Sequence, residues 1–181
     1  MEGKLSEAQE MHDSLCNIWE ESFVLLQEGT AEETVCHAIR MLEDDPIFNA
    51  GTGSKLQADG QVRMSAALMD GTNNRFSGVI NVQNIRNPIE AAALLSKEEH
   101  KVLSGAQATE FCLRNGMADY DPVTPERLEE YEKRCSGKHG TVGAVALDKE
   151  GRIIAGTSTG GIGCEIPGRV SDAPTVAGTY A

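Results

Sequence analysis

A chain of 181 residues with 40% hydrophobic side chains is long enough to bury a substantial core, but only 4% of it is aromatic, so small and aliphatic residues must fill that core. The net charge of −12 argues against nucleic acid as a partner, because a phosphate backbone demands a basic face. No run approaches the length of a membrane-spanning helix, and Met1-Glu2-Gly3-Lys4 does not open a signal peptide. Five scattered cysteines (Cys16, Cys36, Cys112, Cys135, Cys164) form neither a C-x-x-C pair nor a zinc-like spacing. These features lead us to expect a cytoplasmic protein with reduced thiols and no membrane association.

Residues 4–28 read as an amphipathic helix, with Leu5, Ala8, Leu15, Ile18, Trp19, Leu25 and Leu26 near one stripe and Gly29 as its stop. Thr30-Ala31-Glu32-Glu33 has the spacing of a capping box and opens a second helix to about Glu43, with Val35, Ala38, Ile39 and Leu42 inward. Glu43-Asp44-Asp45 puts negative charge at a helix C-terminus, where the dipole disfavours it by about 0.3–1 kcal/mol. It reads as a solvated end before Pro46. Phe48 to Ser54 is a Gly-rich loop without the spacing or lysine of a phosphate loop. Lys55 to Ala58, the Asp59-Gly60 turn and Gln61 to Met69 predict a hairpin, and Arg75 to Val82 another strand after Asp70-Gly71. Asn87-Pro88 starts a helix with Ile89, Ala92, Ala93 and Leu95 apolar, followed by a short strand from Lys101 to Leu103 and a helix from about Ala106 to Leu113.

From Gly116 to Gly140 the composition turns polar and turn-rich. This predicts a surface linker carrying one short helix, Glu126 to Lys133, with few core residues and enough slack to suit a cleavage site. His139 to Thr159 then reads as two β-rich runs joined by the Asp148–Gly151 turn. In the first run Val142, Ala144 and Ala146 share one face and Gly143, Val145 and Leu147 the other, the pattern of a strand buried in a sandwich interior. Thr141 heads this strand directly after Gly140. Cut between the two, it would carry a hydroxyl and a free α-amine. Such an amine titrates near pH 7.7–8.0 in model peptides and can act as the hydroxyl's base. Antiparallel pairing through the turn brings Thr159 back near Thr141. Helices, then strands in hairpin order, then helices and strands again make an α+β chain.

Gly140-Thr141-Val142-Gly143-Ala144-Val145-Ala146-Leu147-Asp148, Thr157-Ser158-Thr159-Gly160-Gly161 and Pro167-Gly168-Arg169-Val170-Ser171-Asp172-Ala173-Pro174 follow one another with short gaps. With Leu42 to Gly51 and Leu68-Met69-Asp70-Gly71 upstream, they closely resemble the plant-type L-asparaginase/isoaspartyl peptidase family of threonine-type N-terminal nucleophile hydrolases. The resemblance covers roughly residues 28–181. It implies a four-layer αββα sandwich, in which residues 1–140 are an α-subunit-like half ending in the polar linker at about 116–140, and residues 141–181 are the start of a β-subunit-like nucleophile half.

The resemblance also implies self-cleavage between Gly140 and Thr141. Thr141 would be the nucleophile, with Thr159 supporting it and Asn49 orienting the site, and Gly160 and Gly161 would let backbone approach substrate. Arg169 and Asp172 would grip the α-carboxylate and α-amine of an aspartyl group, since an Arg fork binds a carboxylate bidentately and an Asp accepts from an ammonium. The implied substrates are L-asparagine and β-aspartyl dipeptides, hydrolysed through an acyl-enzyme without a catalytic cofactor. A structural sodium ion on the backbone oxygens of Leu42, Glu43, Asp45, Phe48, Ala50 and Thr52 is implied too, as is a homo-oligomer, a dimer of cleaved α/β pairs.

Two alternatives stand beside this reading. A glycosylasparaginase-like amidase shares the Gly-Arg-Val-x-Asp segment but usually has Asn where Gly160 stands. A catalytically silent scaffold belongs to another class altogether. Locally, Ser65 stands where many family members carry Asp, and Ser171 replaces the commoner Gly. Nothing in Met1 to Gln27 resembles the family's opening strand and His-Gly-Gly segment, and the nucleophile half runs 41 residues, Thr141 to Ala181. The expectation is a fragment or an incomplete relative.

Overall fold

The structure is a computed structural model that describes residues 2–133 and 140–179. Among the described residues five helices, α1 (Glu2–Glu28), α2 (Ala31–Asp44), α3 (Pro88–Leu95), α4 (Gly105–Arg114) and α5 (Pro125–Glu132), accompany five strands. These are β1 (Met64–Asp70), β2 (Arg75–Val82), β3 (Val102–Ser104), β4 (Val142–Leu147) and β5 (Ile153–Thr159). They form one sheet in the order β3-β2-β1-β5-β4, antiparallel except for the β2–β3 pair, and the chain is α+β as expected. The second sheet of a four-layer sandwich is not among the described residues.

Helix α2 starts as its sequence predicts. Thr30 Oγ1 accepts from Glu33 N at 3.2 Å, and Thr30 N donates to Glu33 Oε2 at 2.9 Å. The next amide, Ala31 N, donates to Asp148 Oδ2 at 3.1 Å, so the β4–β5 turn is tied to the head of the helix that packs on both strands. Val35, Ile39 and Leu42 point into a core shared with Leu68, Ile89, Val142, Ala146 and Ile154. The approach is close at Gly156, where a Cβ would lie 2.6 Å from Ile39 Cδ1 and 2.9 Å from Val35 Cγ1. A second cluster gathers Met64, Ala66, Val79, Val82, Ile85 and Leu95 with Ala108 and Cys112 of α4. Each large aliphatic side chain buried in this way contributes about 1.5–3 kcal/mol.

Several expectations need correcting. The stripe of α1 is only partly buried: Ile18 is in the core, whereas Leu15, Trp19 and Phe23 are largely exposed and Ala8 is open to solvent. Trp19 and Phe23 stack on each other, with ring centroids 5.4 Å apart. Strand β4 is not buried on both faces. Val142 and Ala146 pack under α2, but Val145 is 68% and Leu147 61% exposed, and β4 is the edge of the sheet. The first arm of the hairpin is reduced to a single bridge, Leu56 with Val62. Its other edge is occupied by Cys164 N on Leu56 O at 2.8 Å and Ala58 N on Glu165 O at 2.9 Å.

Glu43-Asp44-Asp45 is not a solvated end. Glu43 is fully buried, Asp44 Oδ1 accepts from Arg86 Nε and Asn87 Nδ2 at 2.8 and 3.0 Å, and the Asp45 carboxylate accepts from Ile47 N and Ser14 Oγ at 3.1 and 2.6 Å. The thiols are not all reduced either. Cys16, Cys36 and Cys112 are free, but Cys164 is disulfide-bonded, and Cys135 lies outside the described residues.

Candidate active site

The β4–β5 ladder pairs Val142 with Ser158, so the residue before β4 and the last residue of β5 meet at one end of the sheet. There Thr159 Oγ1 donates to the Gly140 carbonyl at 3.2 Å and accepts from Gly161 N at 3.2 Å. The same Gly140 oxygen accepts from Asn49 Nδ2 at 3.0 Å. Two donors therefore converge on the carbonyl that precedes Thr141, an arrangement able to polarise it and to stabilise negative charge developing on its oxygen.

Asn49 is fixed at every polar atom of its side chain. Its Nδ2 also donates to Gly161 O at 2.6 Å, and its Oδ1 accepts from Lys55 N at 2.9 Å. Its backbone carbonyl accepts from Gly160 N at 2.8 Å, which draws the segment after β5 against the loop. That approach leaves no room at Gly160, where a Cβ would sit 2.4 Å from Ser54 Cβ and 2.7 Å from Asn49 Oδ1. Gly161 adopts φ +83°, and a Cβ there would lie 2.0 Å from Glu165 Oε1.

Of the residues singled out in the sequence, Asn49, Gly140, Thr159, Gly160 and Gly161 thus form one hydrogen-bonded cluster, with exposed Thr141 covalently joined to it. Arg169 and Asp172 are not drawn into it. They stand on the exposed segment after Glu165, and no ion pair links them to each other among the described residues. His139 and Lys138 lie outside the described residues. A cleft of about 320 Å³ lies elsewhere, beside Asn84, Asp119, Tyr120 and Asp121. Among the described residues no group of three or more His, Cys, Asp or Glu side chains could hold a metal ion. Half-buried Cys36 and buried Cys112 are poor competitors for the nucleophile, because desolvation pushes their thiols up to about 12 and about 11.

Sequence reasoning missed three side chains behind this cluster. Lys55 is only 6% exposed, and its Nζ donates to Glu130 Oε1 at 2.6 Å, while Arg127 Nη1 meets Glu130 Oε2 at 2.9 Å. The linker helix α5 is therefore pinned to the site loop and does not hang free. Lys55 in the middle of an otherwise uncharged arm, Ser54 to Ala58, was the one available signal. Ser65, the residue noted as a departure, pairs in register with Thr159 and accepts from Asn81 N at 3.0 Å at a bulge in the β1–β2 ladder.

The profile of the Asparaginase family matches residues 2–181. The chain is similar to an isoaspartyl peptidase/L-asparaginase of Synechocystis sp., with 43% identity over 96% of the chain and 57% of the relative. It is 41% identical to a plant-type L-asparaginase of Pyrococcus horikoshii over 86% of the chain and 59% of the relative. It is also 36% identical to an isoaspartyl peptidase of Salmonella typhimurium over 99% of the chain and 66% of the relative. The chain spans about three fifths of the length of the first two of these relatives. With the family profile matched along its whole described length, the chain belongs to the plant-type L-asparaginase/isoaspartyl peptidase family.

Proposed function

We propose that the chain is part of a threonine N-terminal nucleophile amidohydrolase that cleaves itself between Gly140 and Thr141 and then hydrolyses L-asparagine and β-aspartyl dipeptides. The observation that carries this reading is the convergence of Asn49 Nδ2 and Thr159 Oγ1 on the Gly140 carbonyl, at 3.0 and 3.2 Å. The Thr141 hydroxyl attacks that carbonyl, the two donors hold the oxyanion, and the amide nitrogen leaves as the α-amine of Thr141. Water then hydrolyses the resulting ester. The freed amine, titrating near pH 7.7–8.0 by its ordinary chemistry, becomes the base for attack on substrate.

The exposed Arg169 and Asp172 supply the fork and the carboxylate that would hold an aspartyl α-carboxylate and α-ammonium. In this reading residues 1–140 and 141–181 become two halves of one fold, and the mature unit is a homo-oligomer of cleaved pairs. The exposed edge strand β4 suits burial in a larger assembly. No cofactor enters the reaction. A sodium ion on the carbonyls of Leu42, Glu43, Asp45, Phe48, Ala50 and Thr52 fits the turn after α2. Glu43 O and Asp45 O there accept single backbone bonds, from Thr52 N at 2.7 Å and Phe48 N at 3.2 Å, and each keeps a second lone pair. A cytoplasmic location rests on the free Cys16, Cys36 and Cys112, and the bonded Cys164 is the observation at odds with it. No helix among the described residues is long and apolar enough to cross a membrane.

The glycosylasparaginase-like reading is disfavoured, because the asparagine usual in that group has no space at position 160. Intact mass spectrometry tests the proposal: wild type should yield a fragment beginning at Thr141, and Thr141→Ala should not. Cleavage that survives the substitution removes Thr141 as the nucleophile.

A further inference from the structure

Residues 120–131 lie along the loop that carries Asn49. Tyr120 OH and Thr52 Oγ1 are 2.9 Å apart, Gly53 N donates to Pro122 O at 3.1 Å, Arg127 Nε donates to Gly53 O at 2.6 Å, and Tyr131 OH donates to Ala58 O at 3.1 Å. Within this seam the Lys55 ammonium is buried against Glu130. A buried cation is tolerated only when paired and hydrogen-bonded, so the side chain of Lys55 settles there because Glu130 does. The backbone N–H of that same lysine engages Asn49 Oδ1, and that contact decides which way the amide faces. With Oδ1 held, Nδ2 is left to aim at Gly140 O and Gly161 O.

We propose that Glu130 is a positioning residue for self-cleavage: by pairing with Lys55 it holds the backbone that aims Asn49 at the Gly140 carbonyl. The proposal rests on the self-cleavage reading above. Burial alone would push the Glu130 carboxyl up, but hydrogen bonds from Lys55 and Arg127 outweigh it and hold the group below the usual range, so it stays an anion at neutral pH. Glu130 touches no reacting atom. It acts through Lys55 and Asn49, across 75 residues of sequence. Both members of the pair precede Gly140, so the latch survives cleavage and serves the mature site as well. Beyond tethering the scissile bond, the linker therefore supports the site.

The test uses the full chain with Glu130→Gln and the double variant Glu130→Gln/Lys55→Met, well below each variant's melting temperature. Glu130→Gln strands a buried ammonium and should slow the appearance of the Thr141 fragment by about tenfold or more. Adding Lys55→Met removes the stranded charge and should restore the rate to within about threefold of wild type. Wild-type cleavage by Glu130→Gln, or a folded double variant no faster than the single, overturns the proposal. If Glu130→Gln does not fold, Glu130→Asp, which keeps the charge but shortens its reach to Lys55, takes its place: a folded variant that cleaves more slowly than wild type upholds the latch, and one that cleaves like wild type refutes it.

Hydrogen–deuterium exchange of residues 49–56 in the Thr141→Ala background separates this proposal from the one beneath it. Exchange there should rise with Glu130→Gln and return with the double variant. If wild type never cleaves, the self-cleavage reading falls and the exchange result alone decides the latch. Unchanged protection of 49–56 in Glu130→Gln would refute it.

Discussion

Replacing Glu43 with Gln should stabilise the chain more and more as pH rises from 5 to 9. Glu43 is fully buried between the end of α2, the start of α3 and strand β5. Its Oε1 accepts from Ile89 N at 3.0 Å, while Oε2 and the neighbouring Ser158 Oγ make no hydrogen bond of regular geometry. Burial pushes the carboxyl from 4.5 up to about 8, against the favourable contacts of Ser158, Ile89 and Asn87, and the nearby Glu90 carboxylate pushes it the same way. A folded-state pKa above the unfolded one means that the native chain holds the proton more tightly. Stability is then fully present below about pH 4.5 and is lost as pH rises through about 8.

At about 1.4 kcal/mol per unit, the loss accumulates to roughly 3 kcal/mol by pH 7 and grows by about a further 1 kcal/mol by pH 9. Gln keeps the shape and the acceptor for Ile89 N, presents an N–H₂ towards Ser158, and does not titrate. Thermal unfolding followed by circular dichroism at pH 5, 7 and 9 checks this. The melting-temperature gap between Glu43→Gln and wild type should widen by about 2–4 °C between pH 7 and 9. A gap that is flat with pH, or that widens towards acid, would refute the buried neutral carboxyl.

Three further outcomes follow from the site and the sheet. Arg169→Lys should lower turnover of a β-aspartyl dipeptide by the mature enzyme at least about tenfold while sparing self-cleavage, because an ammonium cannot reproduce the guanidinium fork; ordinary steady-state kinetics would count against the clamp. Gly160→Ala should cost about 1–3 kcal/mol in urea unfolding and block cleavage, since its Cβ would meet Ser54 and Asn49 at 2.4 and 2.7 Å; a variant that cleaves like wild type would show that the loop yields. The 181-residue chain alone should associate through the unpaired edge β4, show no appreciable ammonia release from asparagine, and become more monodisperse in size-exclusion chromatography with Val145→Lys/Leu147→Lys. A monodisperse, active wild-type chain would remove the edge from the argument.

Local features settled a good part of this protein. The capping box at Thr30–Glu33, the 3.6-residue spacing of Val35, Ile39 and Leu42, and Pro88 at the head of α3 act within one or two turns, so they could be read before any tertiary contact was known. The return of Thr159 beside Gly140 was equally legible, because a tight turn at Asp148–Gly151 fixes the register of the strands it joins. Distant partners decided the rest. Glu43 looked like part of a solvated helix end until α3 and β5 closed over it, and the linker looked slack until Glu130 found Lys55. The alternation in Val142 to Leu147 showed two apolar faces but could not say that α2 would cover only one of them. Periodicity records which residues share a face; whether that face meets water, a helix or an ion pair 75 residues away depends on how the whole chain packs.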